Sequence, residues 1–279
     1  MRLPSPLTLL CIMLTSAAIS TAAQAADFSQ LKGTPNLRSA SALVTDDKGN
    51  IIYGKDIDAV RPIASITKLM TAMVVLDSAV DLEQKITVSE ADRDRVRLTG
   101  SRLEVGATLT RREMLQLAIM SSENRAAAAL GRNWPGGLQS FIAQMNQKAA
   151  ELKMSRSRFA DPAGLHGGNT STASDLVKLV MAANRYPLIH EASTRQTLQV
   201  RPFSNRGPLT YNNTNRLLKN SSWDIALSKT GYINEAGRCL VMRASIDGKP
   251  VSIVLLNSFG KLTPFGDSNR LRTWMLAKS

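Results

Sequence analysis

Cysteine and histidine are scarce in this sequence, with two of each among 279 residues. Once the leader described below is removed, Cys239 is the one cysteine left, so no intrachain disulfide is expected. His166 lies in a glycine-rich loop and His190 in a polar stretch after Pro187, and the sequence has no G-x-S-x-G nucleophile elbow. These shortages argue against a Ser-His-Asp hydrolase and leave too few ligands for a zinc peptidase.

Apolar runs long enough to span a membrane are also lacking. Residues 7–19 are apolar but too few, Arg2 precedes them, and residues 23–25 have the A-x-A form of a secretory cleavage site. We therefore predict a signal peptide over residues 1–25 and a mature protein that is exported to the periplasm. An uncleaved anchor or a lipid attached through Cys11 is less favoured, so no stable membrane anchor is expected.

Acidic residues are the minority charge: 35 Lys and Arg face 22 Asp and Glu, a formal net charge of +13. Such a field favours an anionic partner. The densest basic cluster, residues 93–97, alternates with aspartates and contains no aromatic residue, which predicts a solvated face and no nucleic-acid site. A carboxylate-rich cell-wall polymer is the more economical partner for an exported protein. The absence of a phosphate loop or dinucleotide motif implies no cofactor.

Strand patterns occupy both ends of the mature chain, and helical patterns lie between them. A hairpin is predicted around the turn at residues 46–49, and strands at 227–232, 238–245 and 250–258. Helices are predicted at residues 66–77, 114–120, 124–130, 138–152, 175–183 and 269–276. This order predicts an α+β fold: an antiparallel sheet built from both termini, with helices on its faces and an inserted helical lobe. No linker or repeat interrupts residues 26–279, so a single catalytic domain is expected.

Ser65 and Lys68 are the first candidate catalytic pair. Three residues apart at the start of a periodic helix, their side chains share one face and can touch. A partly desolvated lysine is easier to deprotonate and can then accept the serine proton. The same spacing recurs at Ser29 and Ser258, but neither of those serines begins a helix.

Two further motifs provide polar groups that an acyl-transfer site would need. Ser122-Glu123-Asn124 stands between two predicted helices, where Ser122 could pass a proton to a leaving amine and Asn124 could hold a substrate amide. Lys229-Thr230-Gly231 lies on a predicted strand. There the lysine could bind a carboxylate or lower the pKa of a neighbouring lysine, the threonine offers a hydroxyl, and the glycine would let a substrate backbone approach.

Together these three motifs resemble those of the serine D-alanyl-D-alanine peptidases, the low-molecular-mass penicillin-binding proteins. The resemblance spans nearly all of the mature chain and is closest to the D-alanyl-D-alanine endopeptidases. It rests on residues 64–72, 120–127, 161–165 with Asn169, 171–173 and 228–231.

The resemblance implies a β-lactamase/transpeptidase-like fold and a role for each motif residue. Ser65 would form the acyl-enzyme, Lys68 would accept its proton, and Ser122 would assist proton transfer. Asn124, Lys229, Thr230, Gly231 and Tyr232 would bind substrate, and the backbone N–H groups of Ser65 and Tyr232 would form the oxyanion hole. Peptidoglycan stem peptides would be the substrates and β-lactams covalent inhibitors.

Two departures from the family pattern leave alternatives open. Glu123 stands where relatives often have glycine or aspartate, and no role is assigned to it. The chain ends soon after Gly231, without the second C-terminal domain of many carboxypeptidases, which favours cross-link cleavage over trimming of terminal D-alanine. A β-lactamase would need an E-x-x-L-N-like segment, which is absent. A non-catalytic wall-binding protein would not need all three motifs intact.

Overall fold

A five-stranded antiparallel sheet joins the two ends of the chain in the computed structural model, which describes Phe28 and residues 31–277. The predicted signal peptide lies outside these described residues. The strands are β1 (Ser41–Thr45), β2 (Ile51–Lys55), β3 (Arg61–Pro62), β4 (Lys85–Thr87), β5 (Thr108–Thr110), β6 (Thr170–Ser171), β7 (Thr197–Val200), β8 (Leu209–Asn212), β9 (Asp224–Ile233), β10 (Gly237–Ile246) and β11 (Lys249–Ser258). The helices are α1 (Thr67–Asp77), α2 (Arg111–Met120), α3 (Asn124–Arg132), α4 (Gly137–Glu151), α5 (Ala173–Ala183), α6 (Pro187–Thr194) and α7 (Thr263–Leu276).

The sheet has the strand order β2-β1-β11-β10-β9, so β9 forms one edge and the N-terminal hairpin the other. All four pairings are antiparallel. This arrangement confirms the predicted α+β fold with a sheet from both termini. It follows from local signals: apolar residues follow one another along the central strands, and Asp247-Gly248 provides a tight turn with both residues in left-handed backbone.

Successive side chains of the central strands point into two different cores. On β11, Val254 and Leu256 pack on the helical-lobe side, whereas Ile253 and Leu255 pack on the opposite side. The second side is covered by α7, which contributes Leu271 and Met275. The period of two residues in a strand therefore divides one apolar sequence between two layers of helix.

Helix α1 runs through the centre of the molecule. Its residues from Thr67 to Val75 are all buried, so it has no solvated face. It packs against α2, α3, α4 and α5, which surround it within the helical lobe. A helix held on all sides gives the residues at its N-terminus a fixed position, and Ser65 lies in the 3₁₀ turn (Ala64–Ile66) directly before it.

Several elements differ from those predicted. Helix α6 was missed, because residues around His190 are polar and the apolar face of this short helix is defined by its packing on α2 and β9. Helix α7 begins at Thr263, several residues before the predicted segment. No helix among the described residues is long and apolar enough to cross a membrane.

The chain's first described segment is attached to α7 by a buried carboxylate. Asp267 accepts hydrogen bonds from the N–H of Arg38 (3.1 Å) and from the N–H (2.7 Å) and hydroxyl (2.5 Å) of Ser39, and it pairs with Arg270. Burial alone would raise the pKa of Asp267, but the hydrogen bonds from Ser39 and Arg38 lower it below the usual value. The ionised carboxylate therefore joins the two ends of the fold.

We expect Asp267→Ala to reduce the free energy of unfolding by about 2–4 kcal/mol, because it leaves buried N–H groups without an acceptor. Thermal or urea unfolding of the purified protein at pH 7 measures this loss. Asp47→Ala, at an exposed position in the β1–β2 turn, is the control and should change stability by less than about 0.5 kcal/mol. Equal stability of the two variants would contradict the proposed attachment.

Candidate active site

Ser65 is held between two glycines. The residue before it, Ala64, has a left-handed backbone (φ +47°), which places Ser65 at a sharp bend. A Cβ atom at Gly164 would lie 2.0 Å from the carbonyl oxygen of Ala64, and one at Gly231 would lie 3.1 Å from the nitrogen of Ser65. The first contact is too close for any side chain, and the second is tighter than most real Cβ contacts. The position of the candidate nucleophile is therefore fixed by backbone packing from both sides.

Lys68 is fully buried, and its amine contacts three oxygen atoms from three different parts of the chain. Nζ lies 2.8 Å from Ser65 Oγ, 2.8 Å from Asn124 Oδ1 and 2.6 Å from the carbonyl oxygen of Ala163. The last two atoms can only accept hydrogen bonds. A neutral amine would donate to these two acceptors and accept the Ser65 hydroxyl proton, so the geometry fits a base poised at Ser65.

The charge state of Lys68 follows from its burial. Desolvation lowers the pKa of Lys68 to about 7, although the carboxylates of Asp161, Glu123 and Asp94 oppose the shift. Lys229 is also buried, and burial together with the charge of Lys68 holds the pKa of Lys229 well below its usual value. Two such neighbouring amines do not readily hold two protons together. The site therefore provides a neutral amine near pH 7.

The turn between α2 and α3 brings Ser122 and Asn124 to the same place. Ser122 has a left-handed backbone (φ +60°) and lines the cleft together with Ser65. Asn124 begins α3, accepts a hydrogen bond from Lys68 and donates one to Thr99 Oγ1 (3.0 Å). The sequence predicted a substrate-binding role for Asn124, and the structure adds a direct contact with the candidate base.

Strand β9 forms the opposite wall of the cleft. Thr230 donates a hydrogen bond to Thr214 (2.6 Å), and Lys229 donates to the carbonyl oxygen of Thr230 (2.9 Å). Tyr232 is 49% exposed, and the guanidinium of Arg238 stacks 3.7 Å from its ring centre. The close approach at Gly231 is to the chain's own residues 63–65, a contact that the sequence interpretation assigned to a substrate backbone.

A loop at residues 161–169 supplies the third partner of Lys68, and the sequence analysis assigned it no role. Asp161 organises this loop by accepting hydrogen bonds from the N–H groups of Ala163 and Gly164, both at 2.6 Å, and from the side chain of Asn169 (2.6 Å). The fold of the loop directs the Ala163 carbonyl at Lys68. The run Asp161-Pro-Ala-Gly-Leu is part of the resemblance stated from the sequence, and an aspartate ahead of such residues is typical of an Asx turn.

The cleft extends on both sides of Ser65. One side, about 330 Å³, is lined by Thr214, Thr230 and three basic side chains, Arg216, Arg238 and Lys261. On the other side Arg97 pairs with Glu235 (2.8 Å) and donates to the Leu165 carbonyl oxygen (2.7 Å).

The solvated face predicted for residues 93–97 is therefore wrong in part. Arg97 is only 18% exposed because its guanidinium is held by Glu235 and by a backbone carbonyl. Asp92, which alternates with this cluster, is buried and paired with Arg132. Arg93 does fit the prediction, because its pair with Glu90 is exposed.

This fold and this site define a serine hydrolase of the penicillin-binding protein type. The chain belongs to the S11 peptidase family, whose model is described as D-alanyl-D-alanine carboxypeptidase and matches residues 28–260. The resemblance stated from the sequence is thus confirmed at the level of the family.

Individual relatives agree with this assignment. The chain is 48% identical over 240 residues to a D-alanyl-D-alanine endopeptidase of Pseudomonas aeruginosa, covering 86% of this chain and 77% of the relative. It is 45% identical over 269 residues to a D-alanyl-D-alanine endopeptidase of Escherichia coli, covering 96% and 85%. The crystal structure of the Streptomyces K15 DD-transpeptidase superposes with a TM-score of 0.81 at 28% identity, covering 88% of this chain and 100% of that one.

The contact between Gly164 and Ala64 generates one prediction. Gly164→Ala should slow acylation of Ser65 by a fluorescent penicillin about a hundredfold or more, because the new methyl group displaces the Ala64 carbonyl and moves the nucleophile. The matched control is Gly167→Ala in the same loop, where an added Cβ meets no atom within 4 Å. Equal acylation rates in the two variants would show that the contact does not position Ser65.

The burial of Lys68 generates a second prediction. We expect the neutral amine of Lys68 to act as the base. Since burial lowers the pKa of Lys68 to about 7, the acylation rate should rise with pH through a midpoint near 7. Lys68→Arg should reduce the rate by about a thousandfold or more, since a guanidinium does not release its proton. Lys148→Arg, which keeps a pair with Asp77, is the control. A rate that does not change between pH 6 and pH 8 would exclude Lys68 as the base.

Proposed function

We propose that this protein is a D-alanyl-D-alanine endopeptidase that hydrolyses the D-alanyl amide bonds of peptidoglycan cross-links. The observation that supports it most directly is the buried Lys68 amine at 2.8 Å from Ser65 Oγ, with both remaining partners able only to accept. The relatives named D-alanyl-D-alanine endopeptidase, at 45–48% identity, support this branch of the family.

In the proposed reaction Ser65 Oγ attacks the carbonyl carbon of a D-alanyl residue while its proton passes to Lys68 Nζ. The backbone N–H groups of Ser65 and Tyr232 stabilise the oxyanion. The C–N bond then breaks, and the leaving amine takes a proton, which Ser122 relays from Lys68. This leaves an ester on Ser65. Water hydrolyses that ester, and Lys68 accepts the water proton and returns one to Ser65 Oγ.

The remaining motif residues bind the substrate in this proposal. Asn124 holds the amide on the acyl side through its side-chain N–H or carbonyl group, and Lys229 and Thr230 lie along the substrate on β9. The basic groups Arg216, Arg238 and Lys261 give this side of the cleft a positive field, which suits the carboxylates of stem peptides. A β-lactam would acylate Ser65 in the same way and leave slowly.

A D-alanyl-D-alanine carboxypeptidase that removes terminal D-alanine is the second candidate, supported by the description of the family model. The two activities share every catalytic atom proposed here and differ in what leaves: a free D-alanine or a second peptide. We further propose that residues 1–25 are removed on export to the periplasm and that residues 26–279 form one catalytic domain. A non-catalytic wall-binding protein would bind equally well without Ser65.

The test is digestion of purified cross-linked muropeptide dimers by the mature protein, with Ser65→Ala as control. We expect monomers that depend on Ser65, because the endopeptidase cleaves the bond that joins two stem peptides. Dimers that survive while stem peptides lose one D-alanine would instead establish the carboxypeptidase. Wall binding without any Ser65-dependent product would contradict both activities.

A further inference from the structure

Glu123, the middle residue of the second motif, has no role in the proposed reaction, yet its carboxylate is buried. The residue is 8% exposed. Oε1 accepts a hydrogen bond from the Ser101 hydroxyl (2.7 Å) and one from the Arg125 N–H (3.0 Å), which caps the N-terminus of α3. A charged side chain is seldom buried unless its partners are specific, so this environment calls for a functional explanation.

The hydrogen bond from Ser101 to Glu123 joins the segment at residues 94–103 to the turn that carries the site residues, and the bond from the Arg125 N–H ties the same carboxylate to α3. Next to them, Asn124 donates to Thr99 of the same segment (3.0 Å). Ser122 lies immediately before Glu123 in left-handed backbone, a conformation that persists in a residue other than glycine only when its surroundings fix it. The turn is thus held on one side by Lys68 and on the other by this segment.

We propose that Glu123 is a positioning residue of the acylation reaction: its carboxylate, bonded to Ser101 and to the start of α3, fixes the turn that presents Ser122 and Asn124 to Ser65 and Lys68. This inference rests on the proposed acyl-enzyme chemistry and assigns a further residue to it. Glu123 acts through its neighbours and does not contact the substrate. Relatives with glycine at this position would have to fix the turn by other means.

Besides its hydrogen bonds, Glu123 contributes a negative charge that acts on the pKa of Lys68. Desolvation lowers the pKa of Lys68, and Glu123 opposes that shift together with Asp161 and Asp94. On β9, burial and then the charge of Lys68 lower the pKa of Lys229, so this second amine adds little positive charge beside Lys68.

Other groups surround Glu123 itself. The guanidinium of Arg102 stacks on the ring of Tyr211 (4.8 Å), and burial, followed by the charge of Glu123, raises the pKa of that tyrosine. Arg125 turns its guanidinium to the Leu103 carbonyl oxygen (2.7 Å).

Replacing Glu123 by a neutral residue of the same shape should lower the pKa of Lys68, because one attractive negative charge is removed.

Two variants separate the hydrogen bonds from the charge. Glu123→Gln keeps an oxygen that can accept from Ser101 and Arg125, whereas Glu123→Ala removes both bonds. The probe is acylation of Ser65 by a fluorescent penicillin, measured from pH 5 to pH 9. We expect the alanine variant to be slower by about tenfold to a hundredfold, as for a misplaced catalytic group. The glutamine variant should retain most of the rate. The acidic limb of its pH profile, which is the range where the rate rises with pH, should shift to lower pH.

The matched control is Glu113→Ala. Glu113 also bonds at the N-terminus of a helix of this lobe, through the Thr110 N–H (2.8 Å), but it belongs to α2 and lies outside the cleft. Its loss should lower the melting temperature without moving the acidic limb. If Glu123→Ala acylates at the unmodified rate, or if Glu123→Gln loses as much of the rate as Glu123→Ala, the proposal is wrong. Failure of the unmodified protein to acylate at all would instead contradict the proposed function.

Discussion

Burial of the Lys68 amine is the constraint on which the rest of the cleft depends. A polar group taken out of water must find partners in the protein, because leaving it unpaired costs on the order of several kcal/mol. Its three partners come from the turn before α1, from α3 and from the loop at residues 161–169. Assembly of these three elements around one nitrogen is thus required both for folding and for a neutral base near pH 7.

The candidate nucleophile, Ser65, is placed by backbone contacts, since residues 63–65 are packed between Gly164 and Gly231. Such backbone contacts leave Ser65 less freedom to move than a hydrogen bond between flexible side chains would. A nucleophile that is already in its reactive position does not have to be moved during the reaction. This preorganisation accounts for a large part of the rate enhancement of enzymes. The same packing sets the Lys-Thr-Gly strand, β9, against the 3₁₀ turn that holds Ser65, with Gly231 at the point of closest approach.

Much of this arrangement could be predicted from the sequence, and what could not has a physical reason. The sheet and the Ser65–Lys68 pair follow from local periodicity and from the three-residue spacing on a helix. The contact of Lys68 with the Ala163 carbonyl could not, because a backbone oxygen leaves no mark on the sequence. The inward turn of Arg97 depends on Glu235, far along the chain, and α6 depends on its packing partners. In each case tertiary contacts overrode the local pattern.

Strain is the remaining consequence of this design. Ala64 and Ser122 both adopt left-handed backbone, at about 1–3 kcal/mol each for residues other than glycine. Glycine at either position would relieve the strain but would also free the chain, because glycine populates many more conformations. Ser122 must in addition keep its hydroxyl in the cleft. The strain is tolerated because surrounding contacts fix both turns. Ala64 is packed between Gly164 and Gly231, and Ser122 is held by the hydrogen bonds of the neighbouring Glu123 and Asn124. The hydroxyls of Ser65 and Ser122 are therefore fixed in the cleft at the expense of stability.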